Sequence, residues 1–145
     1  MPDLIDQLTS KCGLYTGPHS HPAAAATPTE VARVSVARLP GDSGVSLDYE
    51  VLDPENGRVH AEHAMLARTV RGLALITAHN HAEVVSVLYE TEAGYFPASS
   101  EEPFPMAVRL EVPEPGRLVY SWSYGRPGEE LIVRDVGRLR LVAPA

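Results

Sequence analysis

The six histidines of this chain fall into three close pairs: His19 and His21 in "GPHSHP", His60 and His63 in "VHAEHAML", and His79 and His81 in "TAHNHAEVV". An imidazole changes charge near neutral pH, and its neutral form ligates metals, so such pairs suit proton transfer or ion binding. On a strand, residues two apart share a face. Each H-x-H pair could therefore aim both rings at one point, unless Asn80 is a turn rather than part of a strand. His60 shares a face with Glu62, whereas His63 lies with Ala61 and Met65. Four nitrogens from His19, His21, His79 and His81 could enclose a metal only if two loops met, and no cysteine joins them. The expectation is no metal site. His60, Glu62 and His79 are the candidates for acid–base chemistry, against a plainer reading as half-buried histidines bonded to backbone groups.

The sharpest apolar stripe is "RLVYSWSYG", where Leu118, Tyr120, Trp122 and Tyr124 fall on one strand face. In a small barrel such a face can line a ligand cavity, with aromatic bodies packing and their polar tips hydrogen-bonding. It can equally be an ordinary core strand. Tyr49 and Tyr89 could join it from neighbouring strands. There is no phosphate-cradling glycine loop, no G-x-S-x-G and no isolated carboxylate pair.

These residues need a scaffold, and its rhythm is legible. Leu4, Ile5 and Leu8 recur at helical spacing in "PDLIDQLTSKCG", with Pro2 and Asp3 suited to a first turn and Gly13 to a stop. Beyond them come short apolar runs broken by Gly and Pro about every ten residues. "GVSLDYEVLDPENG" alternates cleanly, with Val45, Leu47, Tyr49 and Val51 on one side, before the turn at Asp53–Gly57. Eight or more strands at this spacing, joined by hairpin-length turns, predict an all-β, antiparallel sandwich or barrel. The meander-like order favours an up-and-down barrel capped by the short N-terminal helix. Two Pro-rich stretches, Pro18–Glu30 and Tyr95–Pro105, break the rhythm and are expected as loops at a barrel mouth.

Bulk properties narrow the function further. A chain of 145 residues is most simply one domain, 1–145. The formal charge of -7 and the scattered arginines argue against nucleic acid as a partner. The single Cys12 allows no intramolecular disulfide, which fits a reducing compartment. The N-terminus lacks the apolar stretch of a signal peptide, and no run reaches the length of a membrane span. The expectation is a cytoplasmic protein with no membrane partner.

The order of "GLYTGP", "NGRVHAEHAMLARTVRGLALITAHNHAEVVSVLYET" and "RLVYSWSYGRPGEELIVRDVGRLRL" resembles the nitrobindin family, which is also described as fatty-acid-binding-protein-like and counted among the calycin barrels. The resemblance runs from about Leu8 to Val142. It implies a calycin-like antiparallel barrel of about ten strands with a short helix closing one end. It also implies haem b held by a C-terminal histidine. His60 and Glu62 match the family's H-A-E, His79 matches its A-H position, and Tyr15 stands where the family has tryptophan. The segment matching the ligand-bearing strand, "LIVRDVGRLRL", carries Arg134 and Asp135, and no histidine follows His81. A guanidinium has no lone pair to offer iron.

The reading that follows is a barrel binding a small hydrophobic molecule, without a cofactor. Its ligand residues are Tyr15, Tyr49, His60, His79, Tyr89, Tyr120, Trp122 and Tyr124, with Arg134 available to a ligand carboxylate. Two alternatives stay open. One is an enzyme using His60, Glu62 or His79 to isomerise or cyclise an apolar substrate. The other is haem or a metal held by non-family histidines, His19 or His21 among them. A homodimer through a barrel seam is the further partner considered.

Overall fold

The computed structural model describes residues 2–24, 29–80, 85–99 and 105–145. Helix α1 (Leu4–Thr9) is followed by β1 (Gly13–Ser20), β2 (Glu30–Arg38), β3 (Gly44–Asp53), β4 (Gly57–Thr69) and β5 (Gly72–His79). Then come β6 (Ser86–Tyr89), β7 (Tyr95–Pro97), β8 (Met106–Glu111), β9 (Arg117–Tyr124) and β10 (Ile132–Pro144). All ten strands form one antiparallel sheet in the order β6-β5-β4-β3-β2-β1-β10-β9-β8-β7. Every pairing joins strands consecutive in the chain except β1–β10, which brings the first and last strands together, while the consecutive β6 and β7 form the two edges. The result is the up-and-down, nearly closed barrel that the meander pattern predicts.

Alternation decides the inside. Val45, Leu47, Tyr49 and Val51 on β3 are each at most 2% exposed, whereas Asp48 on the opposite parity faces solvent. Leu118, Tyr120 and Trp122 do the same on β9. Leu4, Ile5 and Leu8 of α1 join this core and close one end. The helix starts at a capping box, in which the Asp3 carboxylate accepts from the Asp6 N–H and the Asp6 carboxylate from the Asp3 N–H. Arg68 on β4 reaches both aspartates, fastening the helix to the wall.

Two expectations about loops are corrected. Pro18, His19 and Ser20 belong to β1, paired with β2 and β10, so the expected loop at Pro18 is shorter than its composition suggests. Proline lacks the N–H of a ladder bond, and the β1–β10 register has no pairing at Pro18. Tyr95–Pro97, expected as loop, is a short strand paired with β8. No helix of the described residues is long and apolar enough to cross a membrane.

Candidate functional site

The end opposite α1 opens into a cavity of about 500 Å³. It gathers the C-terminal halves of β1, β3, β5 and β9 and the N-terminal ends of β2, β4, β8 and β10. Its walls are Val51, Val59, Met106 and Trp122, with Tyr49, His60 and His79; its rim is His19, His21, Glu30, Tyr124 and Asp135.

Two β-bulges set which residues face this space. On β4 the register with β3 shifts, Val51 pairing with His60 and Leu52 with Arg58, so Val59 is an extra residue. Val59 and His60 are adjacent in sequence yet both line the cavity. On β10, Val133 pairs with Ser123 and Asp135 with Trp122, leaving Arg134 as the extra residue. A bulge reorients side chains locally, which is its common use beside sites. Asp135 thereby faces inward opposite Trp122. Arg134 does not line the cavity; its Nε donates to the Tyr124 carbonyl at 3.3 Å and its guanidinium lies 5.7 Å from the Tyr124 ring centroid.

The wall is a continuous aromatic stack. Tyr49 and Tyr120 are 4.7 Å apart between centroids, and Tyr120 stacks on Trp122 at 6.1 Å. His60 and His79 stack at 5.9 Å, both edge-on to Trp122. Such offset and edge-to-face pairs add stability beyond the area they bury. Behind the wall, Tyr120 Oη donates to Glu62 Oε1, and His60 Nε2 donates to Oε2 at 3.5 Å. The Glu62 side chain is fully covered. Burial raises its pKa above the ordinary carboxylate value, and the bonds from His60 and Tyr120 only partly offset this.

The rim is a hydrogen-bonded cluster. His19 is 4% exposed; its Nε2 lies 3.2 Å from Asp135 Oδ1 and its Nδ1 2.8 Å from the Tyr49 hydroxyl. Burial pushes the Tyr49 phenol well up, with Glu62, Asp135 and Glu30 adding to it, so Tyr49 is a protonated hydroxyl at ordinary pH. His21 Nδ1 lies 2.8 Å from the same Asp135 oxygen, and His21 Nε2 donates to Glu30. Tyr124 Oη donates to Asp135 Oδ2 at 3.1 Å. Burial lowers the His21 pKa, but the bond to Glu30 and the charges of Glu30 and Asp135 outweigh it and raise the ring's pKa. Burial likewise works to raise that of Asp135, yet His19, Tyr124 and His21 hold its carboxyl below the usual value.

The sequence candidates divide accordingly. Tyr49, His60, His79, Trp122 and Tyr124 line the cavity, and Tyr120 with Glu62 supports it from behind. Tyr15 lies at the helix end, its hydroxyl donating to the Lys11 carbonyl at 2.6 Å. Tyr89 faces outward under the Arg71 guanidinium, 4.0 Å from its centroid. His63 is on the outer face with Asp48. His81 lies outside the described residues. His19 and His21 converge with each other rather than with His79, because β1 carries His19 straight to the mouth. Asp135 and Glu30 went unselected: nothing in "VRDV" marks a bulge. Inward parity of Glu30, two residues before Ala32 on β2, was the available signal.

No protein-family model matches the chain, and no curated protein does. Among solved structures it is similar to the crystal structure of Rv2717c from M. tuberculosis, with a TM-score of 0.65 and 15% identity over 97% of this chain and 99% of that one. At that identity the likeness shows a shared barrel fold and nothing finer.

Proposed function

We propose that this barrel binds a small, mostly hydrophobic molecule in the cavity. The observation that carries this reading is the cavity itself: about 500 Å³, open at one end, with an aromatic and aliphatic wall and polar groups confined largely to its rim. Ligand sites are typically concave, apolar and furnished with a few convergent polar groups. The apolar body would lie against Trp122, Met106, Val51 and Val59, with a hydrogen-bonding group turned to the histidine and carboxylate rim. The Trp122 ring faces the cavity, and its Nε1 is covered and without a hydrogen-bond partner among the described residues.

This reading leaves haem out. The position on β10 that faces the cavity carries Asp135, a carboxylate where the resemblance implies an imidazole, and its neighbour Arg134 offers no lone pair. The residues present do not fit the axial ligand that the family resemblance implies. Acid–base catalysis through Glu62 has less support, because its carboxyl is fully covered and committed to Tyr120 and His60.

Trp122 is the single tryptophan, so its fluorescence reports the wall directly. Titration with naphthalene-sulfonate dyes and with medium-chain and aromatic carboxylic acids and alcohols is expected to give saturable quenching at one molecule per chain for at least one class. Linear, non-saturating quenching by every compound would remove the reading.

A further inference from the structure

We infer that the rim holds a divalent transition-metal ion, of which Zn²⁺ is the type, through His19 Nε2, His21 Nδ1 and the Asp135 carboxylate. These residues are the rim of the cavity described above, but the chain supplies all three ligands, so binding of the ion does not depend on what fills the apolar pocket. Its ligand atoms lie within 4.8 Å of one another. The His19 Nε2–Asp135 Oδ1 separation is 3.2 Å and the His21 Nδ1–Asp135 Oδ1 separation 2.8 Å. With metal–ligand bonds of about 2.0–2.2 Å, the edge of a coordination tetrahedron is roughly 3.3 Å. Both histidine nitrogens therefore stand near coordination spacing from the carboxylate before any ion arrives.

The second observation is what holds the far side of each ring. A metal-bound histidine nearly always donates its other N–H to an oxygen, which fixes the ring's tautomer and orientation. Here His19 Nδ1 faces the Tyr49 hydroxyl at 2.8 Å, and His21 Nε2 faces the Glu30 carboxylate. Each imidazole is thus supported on one nitrogen and turns the other to Asp135. Tyr124 holds the second Asp135 oxygen at 3.1 Å. A plain salt-bridge cluster needs a carboxylate for the histidines, but it does not need both rings buttressed from behind.

Two imidazoles and one carboxylate form the ligand set of open metal sites, in which three protein groups leave a further position for water or a ligand. The ion would replace the shared His–Asp hydrogen bonds: a neutral ring coordinates with its one N–H on the outer nitrogen, and an imidazolium releases its second proton to solvent. Glu30 and Tyr49 are positioning residues. His19 lies within β1 and Asp135 within β10, so the ion would also tie the first strand to the last.

The test uses untagged, chelator-stripped protein titrated with Co²⁺, read by its visible absorption, followed by displacement with Zn²⁺. One ion per chain is expected, with bands of a low-coordinate site that Zn²⁺ bleaches. His21→Ala and Asp135→Asn should each weaken Co²⁺ binding by roughly ten-fold or more, and Glu30→Gln by a smaller factor, as expected for first ligands and their supports. His63→Ala, on the outer face, should titrate as the parent does. Half of the His21 side chain is exposed, so His21→Ala tests the site even if Asp135→Asn does not fold. No saturable signal, or His21→Ala binding Co²⁺ as tightly as the parent, would overturn the assignment.

Discussion

The hydroxyl of Tyr49 rests over the bare α-carbon of Gly137: a β-carbon at Gly137 would stand 2.9 Å from Tyr49 Oη. Gly137 therefore makes room on β10 for the ring that reaches across the barrel from β3 to His19. The Tyr49 ring has little space to retreat, since it packs on Tyr120 and edge-on to His60.

From this contact follows a double-mutant cycle. Gly137→Ala is expected to destabilise the fold by about 1–3 kcal/mol, the usual cost of overpacking. Tyr49→Phe removes the oxygen that the new methyl meets, so the double variant should be more stable than the two single effects summed. Chemical denaturation of all four proteins measures the coupling. Additivity within about 0.5 kcal/mol would show that the two sites do not interact.

Val59→Phe enlarges a half-buried wall residue that a bulge turns into the cavity. Bound hydrophobic probe should be lost or weakened at least about ten-fold, equivalent to about 1.4 kcal/mol of binding. The thermal midpoint should hardly move, because the added ring occupies space that is otherwise open. Unchanged probe affinity would place the ligand elsewhere.

Glu62 carries the clearest pH dependence. Its folded pKa is raised above the ordinary value of 4.5, first by burial. For a group raised in this sense, stability is fully present below the unfolded pKa and is lost as pH rises through the folded one. The parent should therefore lose stability relative to Glu62→Gln as pH rises above the ordinary carboxyl value of 4.5. Melting curves of both proteins at several pH values measure the difference. Parallel curves would mean that Glu62 ionises freely where it sits.

At the opposite end, Leu8→Ala and Arg68→Ala separate packing from charge. Leu8 is 1% exposed in the core, so its truncation should cost about 2–5 kcal/mol. Arg68 pairs with Asp3 and Asp6 at the surface, where an exposed ion pair is worth about 1 kcal/mol at most. Equal losses in urea denaturation would contradict this division.

The barrel was legible in the chain because alternation is a strict consequence of the strand. Val45, Leu47, Tyr49 and Val51 could share a side only on an extended backbone, and Asp53–Gly57 could hardly be anything but a turn. The same rule puts Tyr120, Trp122 and Tyr124 on one face of β9, of which Trp122 and Tyr124 reach the cavity. It failed where the backbone leaves the rule. The bulges at Val59 and Arg134 change the parity of what precedes them, and no residue type in either stretch announces it. Tyr15 joins the expected ligand residues because it stands where the resembled family has tryptophan, and Tyr89 because it is aromatic. Their heights and faces depend on strand pairing, which a single sequence does not display. His19 and Asp135 meet across 116 positions, a separation over which spacing carries no information.

That separation also has a consequence in time. Every other strand pairing in the sheet joins strands that follow one another in the chain, so each can form soon after its second member is made. The union of β1 with β10 must wait for the last strand, and contacts so distant in sequence are slow to form because the intervening chain must first be gathered in. β1 spends that interval with one edge unsatisfied, open to pairing with another chain. The polar rim is assembled in the same event that seals this edge. A nascent or partly unfolded barrel can thus possess most of its hydrophobic wall while still lacking its mouth, and recovery of the rim after denaturation would mark the final step of folding.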